Sequence, residues 1–69
     1  MEGYKLVITK NGKNGERKSA VVGYPLTQEC LVAIEDDFKR YSQEQEVVEL
    51  HLMRYDANGV HELRRYEKC

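Results

Sequence analysis

The fold of this 69-residue chain is decided by residues 27–42, which read TQECLVAIEDDFKRYS. Apolar residues recur there at helical spacing and form a single stripe: Leu31, Ile34, Phe38 and Tyr41. Thr27 is a favourable N-cap because its hydroxyl accepts a hydrogen bond from a free N–H of the first turn. These signals predict an amphipathic helix over Gln28–Ser42. Such a helix cannot bury its stripe alone and must pack on a sheet.

Two strands joined by a turn are predicted before the helix. Residues 4–10 and 17–24 are rich in β-branched and aromatic side chains, and two Asn-Gly pairs lie between them. Pro25 ends the second strand, because proline donates no backbone hydrogen bond. A register with even residues opposite even residues places the most apolar side chains on one face. That face is expected to hold Tyr4, Leu6, Ile8, Ala20, Val22 and Tyr24.

Two further strands are predicted after the helix, at residues 47–55 and 60–67. The residues Asp56-Ala57-Asn58-Gly59 suit a type I turn followed by a glycine bulge. Residues 55–59 also resemble the hairpin tip of YD-repeat toxins, and this five-residue resemblance implies a turn only. We expect Asp56 to pair with Val60. In that register Tyr55 faces His61, and Arg65 faces His51.

The predicted architecture is an α+β domain of order ββαββ that spans residues 1–69. A four-stranded, mainly antiparallel sheet carries the one helix on one face. Because a helix joins the second and third strands, an antiparallel sheet needs strands one and three, or two and four, as its central pair. The expected core comprises Tyr4, Leu6, Ile8, Ala20, Val22, Leu31, Ile34, Phe38, Val48, Leu50 and Leu52, with Tyr24, Tyr41 and Tyr66 at its margin.

Composition narrows the classes of function. The chain is 41% apolar and 33% charged, with a net charge of −1, which argues against a general nucleic-acid binder. No apolar run approaches the ~20 residues of a membrane span. The apolar run directly after Lys5 has only three residues, which predicts no secretory signal peptide. Cys30 and Cys69 are expected to be reduced thiols of a cytoplasmic protein, with a disulfide between them as the alternative.

No constellation of catalytic or metal-ligating residues is apparent in the sequence. His51, His61, Cys30 and Cys69 lack the spacings of metal sites, so no metal or other cofactor is expected. Ser19 and Ser42 have no histidine beside them in the sequence, and no nucleophile and base are paired. We therefore expect the protein not to be an enzyme.

The sheet face that the helix leaves uncovered is the first candidate site. Odd-numbered strand residues are expected there, Val47 among them, and they mix apolar and charged side chains. A contiguous apolar band on such a face marks an interaction surface. The predicted function is a non-catalytic protein-binding or adaptor module that forms a homodimer, either through this face, with Glu49 and Arg65 paired across the axis, or through edge strands. The expected interface consists of Val7, Val21, His51, Met53, Tyr55, Leu63 and Arg65.

The alternative prediction is a module that binds RNA or single-stranded DNA. Basic residues lie on both predicted hairpins, and Tyr55 or the histidines offer rings on which bases stack. In this hypothesis the open face holds the bases and the basic residues contact phosphates. The phosphate-binding residues are expected to be Lys10, Lys13, Arg17, Lys18, Arg54 and Arg64.

Overall fold

One sheet and one helix make up the computed structural model, which describes residues 2–68. The strands are β1 (Gly3–Asn11), β2 (Arg17–Pro25), β3 (Val47–Asp56) and β4 (Gly59–Glu67), and the helix is α1 (Gln28–Ser42). All neighbouring strands are antiparallel, in the order β2-β1-β3-β4. The predicted ββαββ fold is confirmed, with the first and third strands as the central pair.

The helix occupies the residues predicted for it. The Thr27 hydroxyl accepts a hydrogen bond from the backbone N–H of Cys30 at 3.3 Å, as an N-cap should. Ile34 and Phe38 are buried, with 1% and 4% of their surface exposed. Leu31 was expected in the core but is 39% exposed. Helical spacing places it on the same side of α1 as Ile34 and Phe38, but it lies nearer the N-terminal end of the helix, where it lines a groove that is open to solvent.

The hairpin of β1 and β2 has the predicted register. Tyr4 lies opposite Tyr24 and Leu6 opposite Val22, and the pairing continues to the end of both strands. Gly15 in the connecting loop has a φ of 78°, a conformation that glycine adopts without strain. Ala20 was expected in the core but is exposed. The reason is that α1 packs mainly on β3 and only lightly on the edge strand β2.

The pairing of β1 with β3 contains an irregularity that alternation alone did not predict. Thr9 lies opposite Glu49, whereas Lys10 lies opposite Val47, so the register shifts by one residue between them. Val47 is consequently fully buried, and Val48 is only half-buried. The expectation that Val48 is in the core and Val47 on the open face was wrong, because a bulge reverses the alternation beyond it.

The tip of the second hairpin also corrects the prediction. Asp56 pairs with Gly59 rather than with Val60. Val60 therefore lies opposite Tyr55, and His61 lies opposite Arg54. Gly59 takes a φ of 115°, which explains why glycine suits the fourth position of this turn.

A second register shift separates this tip from the rest of the hairpin. It lies between Leu52 and Met53, and beyond it His51 faces Arg65, as predicted. Leu63 is the extra residue of β4 at the shift. The hydrophobic core lies between the sheet and α1, and its buried members are Tyr4, Leu6, Ile8, Ile34, Phe38, Val47, Leu50 and Leu52. Tyr24, Tyr41 and Tyr66 pack at its margin, as predicted, together with the half-buried Val22.

Candidate functional site

The sheet surface opposite α1, here called the open face, is not covered by the helix. Side chains alternate between the two faces of a strand, so residues adjacent to core residues point to the open face. The pairing of the strands then assigns its members. They are Lys5, Val7, Thr9, Ser19, Val21, Gly23, Glu49, His51, Met53, Tyr55, Val60, Glu62, Arg65 and Glu67.

The structure brings most of the predicted interface residues together on this face. Val7 lies between Val21 of β2 and His51 of β3, and Arg65 of β4 lies beyond His51 in the same row. Met53 belongs to the adjacent row and Tyr55 to the one after it. Val21 is 60% exposed, whereas the predicted interface residues of the central strands are half-buried: Val7, His51, Met53 and Tyr55.

Two residues of β4 differ from the sequence-based expectation for the open face. Leu63 does not share a regular row with β3, because it is the extra residue at the register shift. Val60 takes a place beside Tyr55 and is 65% exposed, although it was not among the predicted interface residues. The position of Val60 could have been predicted from Gly59, because a glycine at the fourth turn position indicates a turn closed by Asp56 and Gly59.

The charged groups of the open face already have partners on the same face. His51 lies between two carboxylates, with Nε2 3.6 Å from Glu49 and Nδ1 3.5 Å from Glu62. Arg65 forms an ion pair with Glu67. The Lys5 ammonium lies over the Tyr55 ring, 4.8 Å from its centroid. Because Arg65 is already paired with Glu67, the pairing expected between Glu49 and Arg65 across a dimer axis would have to replace an intrachain ion pair.

Three of the six candidate phosphate-binding residues contact groups of the chain itself. Lys10 lies 3.4 Å from a carboxylate oxygen of Glu44, and Arg54 lies 3.3 Å from one of Asp56. Arg64 stacks on the Phe38 ring on the helix side, 4.3 Å from its centroid, and approaches Glu35 at 3.7 Å. These contacts compete with phosphate for each cation.

The other three candidates, Lys13, Arg17 and Lys18, are exposed around the loop between β1 and β2. A hollow of about 590 Å³ lies there and is lined by Lys13 and Lys18, but also by Glu16 and Glu46. Arg54 pairs with Tyr4, near the start of β1, so it lies at the opposite end of the sheet from this loop. The six basic residues therefore do not form one patch.

A groove beside the helix is a feature that the sequence did not predict. It has a volume of about 360 Å³, and Leu31 and Val32 of α1 form its apolar lip, with Leu52 of β3 at its base. The acidic residues Glu35 and Asp36 also line it. Val32 is 66% exposed. The sequence analysis did not predict this groove, because it assigned Leu31 to the core.

A hydrogen bond joins the edge strand β2 to the helix. The Tyr24 hydroxyl donates to Asp37 Oδ2 at 2.7 Å, and Arg40 contacts the other oxygen of the same carboxylate at 3.1 Å. Burial, followed by the hydrogen bond to Asp37, raises the pKa of Tyr24 well above its ordinary value. Tyr24 therefore remains a neutral donor and holds β2 against α1.

Within residues 2–68, no group of three or more histidine, cysteine, aspartate or glutamate side chains is arranged to hold a metal ion. His51 and His61 lie in different rows of the sheet, opposite Arg65 and Arg54. Cys30 is half-buried beside the core, whereas Cys69, its expected alternative partner, lies outside the described residues. No helix within the described part of the chain is long and apolar enough to cross a membrane.

Comparisons with protein-family models, curated proteins and solved structures find no match to this chain. The functional argument therefore depends on the geometry of the open face, the groove and the sheet edges.

Proposed function

We propose that the chain is a small non-catalytic protein-binding or adaptor module that associates with a second copy of itself. The observation that supports this most directly is the uncovered sheet face, on which Val21 and Val60 remain 60% and 65% exposed. Small domains bury a limited fraction of their surface on folding, and association adds buried area. Protein partners match such mixed surfaces of apolar and paired charged groups.

The arrangement of charge on the open face also favours a protein partner. Lys5 lies over Tyr55, and His51 and Arg65 each contact carboxylates of the same face. A partner therefore meets an arginine that is already in an ion pair and a lysine that already contacts an aromatic ring, between apolar side chains. A nucleic acid would instead gain from unpaired cations that neutralise phosphates.

The proposed compartment is the cytoplasm, in keeping with a chain of two cysteines without a predicted disulfide framework.

Sedimentation equilibrium tests the proposed self-association directly. We expect the average mass to rise from the 8.1 kDa of the monomer towards twice this value as the protein concentration increases to roughly hundreds of micromolar. A mass that stays at 8.1 kDa over the whole series contradicts self-association. The open face would then serve a different protein or none.

The second candidate function is binding of RNA or single-stranded DNA. The observation in its favour is the exposed set of Lys13, Arg17 and Lys18 around the loop between β1 and β2. Filter binding of a single-stranded oligonucleotide at two salt concentrations tests it. Because counterion release makes phosphate binding salt-dependent, neutralising about three phosphates gives an affinity that falls roughly as the square of the salt concentration or more steeply. The absence of binding at low salt eliminates this candidate.

A further inference from the structure

The two edges of the sheet differ in how well they resist pairing with another strand. β4 forms one edge and carries Glu62, Arg64 and Arg65 beside its register shift. Charges and bulges of this kind discourage edge pairing. β2 forms the other edge, where residues 19–24 read SAVVGY and contain no charge. Its pairing with β1 runs from Gly3–Pro25 to Asn11–Arg17 without a register shift. Between Lys18 and Pro25, β2 is therefore a regular edge without charged residues.

The hydrogen-bonding pattern of the hairpin shows which backbone groups of β2 face outwards. The Gly12 N–H donates to the Glu16 carbonyl oxygen at 2.6 Å, so this pair belongs to the hydrogen-bonded set of the antiparallel ladder. Hydrogen-bonded pairs recur at every second residue. Even residues of β2 therefore bond to β1, and the N–H and C=O groups of Ser19, Val21 and Gly23 point away from the sheet.

We propose that β2 pairs with β2 of a second copy, antiparallel and centred on Val21, to form one continuous eight-stranded sheet. This inference rests on the proposed self-association and assigns it to an edge rather than to the open face. Val21 exchanges both hydrogen bonds with Val21 of the second copy. Ser19 and Gly23 of one copy bond to Gly23 and Ser19 of the other.

This register also brings opposite charges together. Ala20 lies opposite Val22 of the second copy, and Lys18 lies opposite Tyr24, all on the helix side of the sheet. The Tyr24 hydroxyl is bonded to Asp37, so the Lys18 ammonium approaches a carboxylate of the second copy. A shift of two residues in either direction removes Lys18 from this position, and burial of the uncharged segment is then incomplete.

The pairing has a consequence for the open face. Only odd residues of β2 offer outward backbone groups, so odd residues pair with odd residues, and the two open faces lie on the same side. Val7 and Val21 of both copies then form one apolar band across the two-fold axis. A dimer formed face to face would instead bury ion pairs such as Arg65–Glu67, at a desolvation cost.

Two substitutions of Gly23 test the edge directly. A Cβ added at Gly23 meets nothing within 4 Å, so alanine has room in the monomer. Gly23→Pro removes the outward N–H but spares the bonds to β1, which even residues make, and edge strands accept proline at such positions. Gly23→Ala adds the Cβ and keeps the N–H, so it is the matched control.

Sedimentation equilibrium with these variants separates the outcomes. We expect Gly23→Pro to raise the dimer dissociation constant by about tenfold or more, since two intermolecular hydrogen bonds are lost by symmetry. Gly23→Ala and the open-face variant Met53→Glu should leave it within about threefold, because neither removes a backbone group of the edge. A wild-type dimer that Met53→Glu dissociates and Gly23→Pro does not overturns the edge assignment but not the self-association. A wild-type monomer overturns both.

A second measurement keeps the edge assignment testable if Gly23→Pro fails to fold. In a dimer mixed from isotope-labelled and unlabelled wild-type chains, we expect intermolecular proton contacts between the α-protons of Ala20 and Val22. Non-hydrogen-bonded pairs of antiparallel strands bring their Cα atoms to about 4.5 Å, which is close enough for such contacts. A dimer without them is not paired through this register of β2.

Discussion

Phe38→Ala should lower the free energy of unfolding by about 3–5 kcal/mol, the usual range for a fully buried phenylalanine. Phe38 is 4% exposed and lies between the core and the Arg64 guanidinium, whose centre is 4.3 Å from the ring centroid. Truncation leaves a cavity and removes the surface on which Arg64 stacks. A chain of this size has a stability of roughly 3–10 kcal/mol, so the substitution removes about a third of it or more, and the variant is expected to melt at a much lower temperature than the wild type.

Thermal and urea unfolding followed by circular dichroism measure this effect. Val32→Ala is the matched control on the same helix, because Val32 is 66% exposed. It should change the stability by no more than about 0.5 kcal/mol. Equal melting of Phe38→Ala and the wild type would show that Phe38 is not a core residue.

Val47→Asp should be the second strongly destabilising substitution. Val47 is fully buried, since the register shift beside Lys10 turns it towards α1. A carboxylate placed there loses its hydration without gaining a hydrogen-bonding or ionic partner, and uncompensated buried charges cost about 3–5 kcal/mol or more. We expect the variant not to give a cooperative unfolding transition at neutral pH.

Val48→Asp provides the control for this substitution, because it places the same side chain one residue further along the same strand. Val48 is half-buried, so its carboxylate remains hydrated, and we expect a loss of about 1 kcal/mol or less. Both effects are read from urea denaturation curves. If the alternation continued regularly from Leu50, Val48→Asp would be the more destabilising substitution. A Val48→Asp variant that unfolds while Val47→Asp folds would therefore show that the strand has no bulge at this position.

The two substitutions show where sequence-based prediction succeeded and where it failed. Phe38 was correctly assigned because helical spacing and the Thr27 cap are local signals. Val47 was assigned to the wrong face because side chains alternate between the faces only while the strand register does not shift. No residue type in that stretch indicates a bulge. The same cause misplaced Val60 and Leu63 on β4, although Gly59 carried a usable signal for the tip.

The candidate interaction surfaces divide in a similar way. Val7, Val21 and Met53 were placed together because the open face follows from the register of β1, β2 and β3 over their regular parts. The ion pairs of His51 and Arg65 with their neighbours were not predicted, because they depend on side-chain conformations of adjacent rows. The groove beneath Leu31 and Val32 was also missed, because the exact path of α1 over the sheet decides which helix residues are covered.

By itself the sequence determined the order ββαββ, the bounds of α1 and the register of the first hairpin, since each depends on residues close together in the chain. The antiparallel arrangement permitted either strands one and three or strands two and four at the centre. Only the tertiary structure decided that β2 is an edge strand, because strand order depends on how the helix stripe and both hairpins pack together. With the other order, the uncharged segment of residues 19–24 would lie inside the sheet. Long-range packing therefore exposes the edge on which the proposed dimer depends.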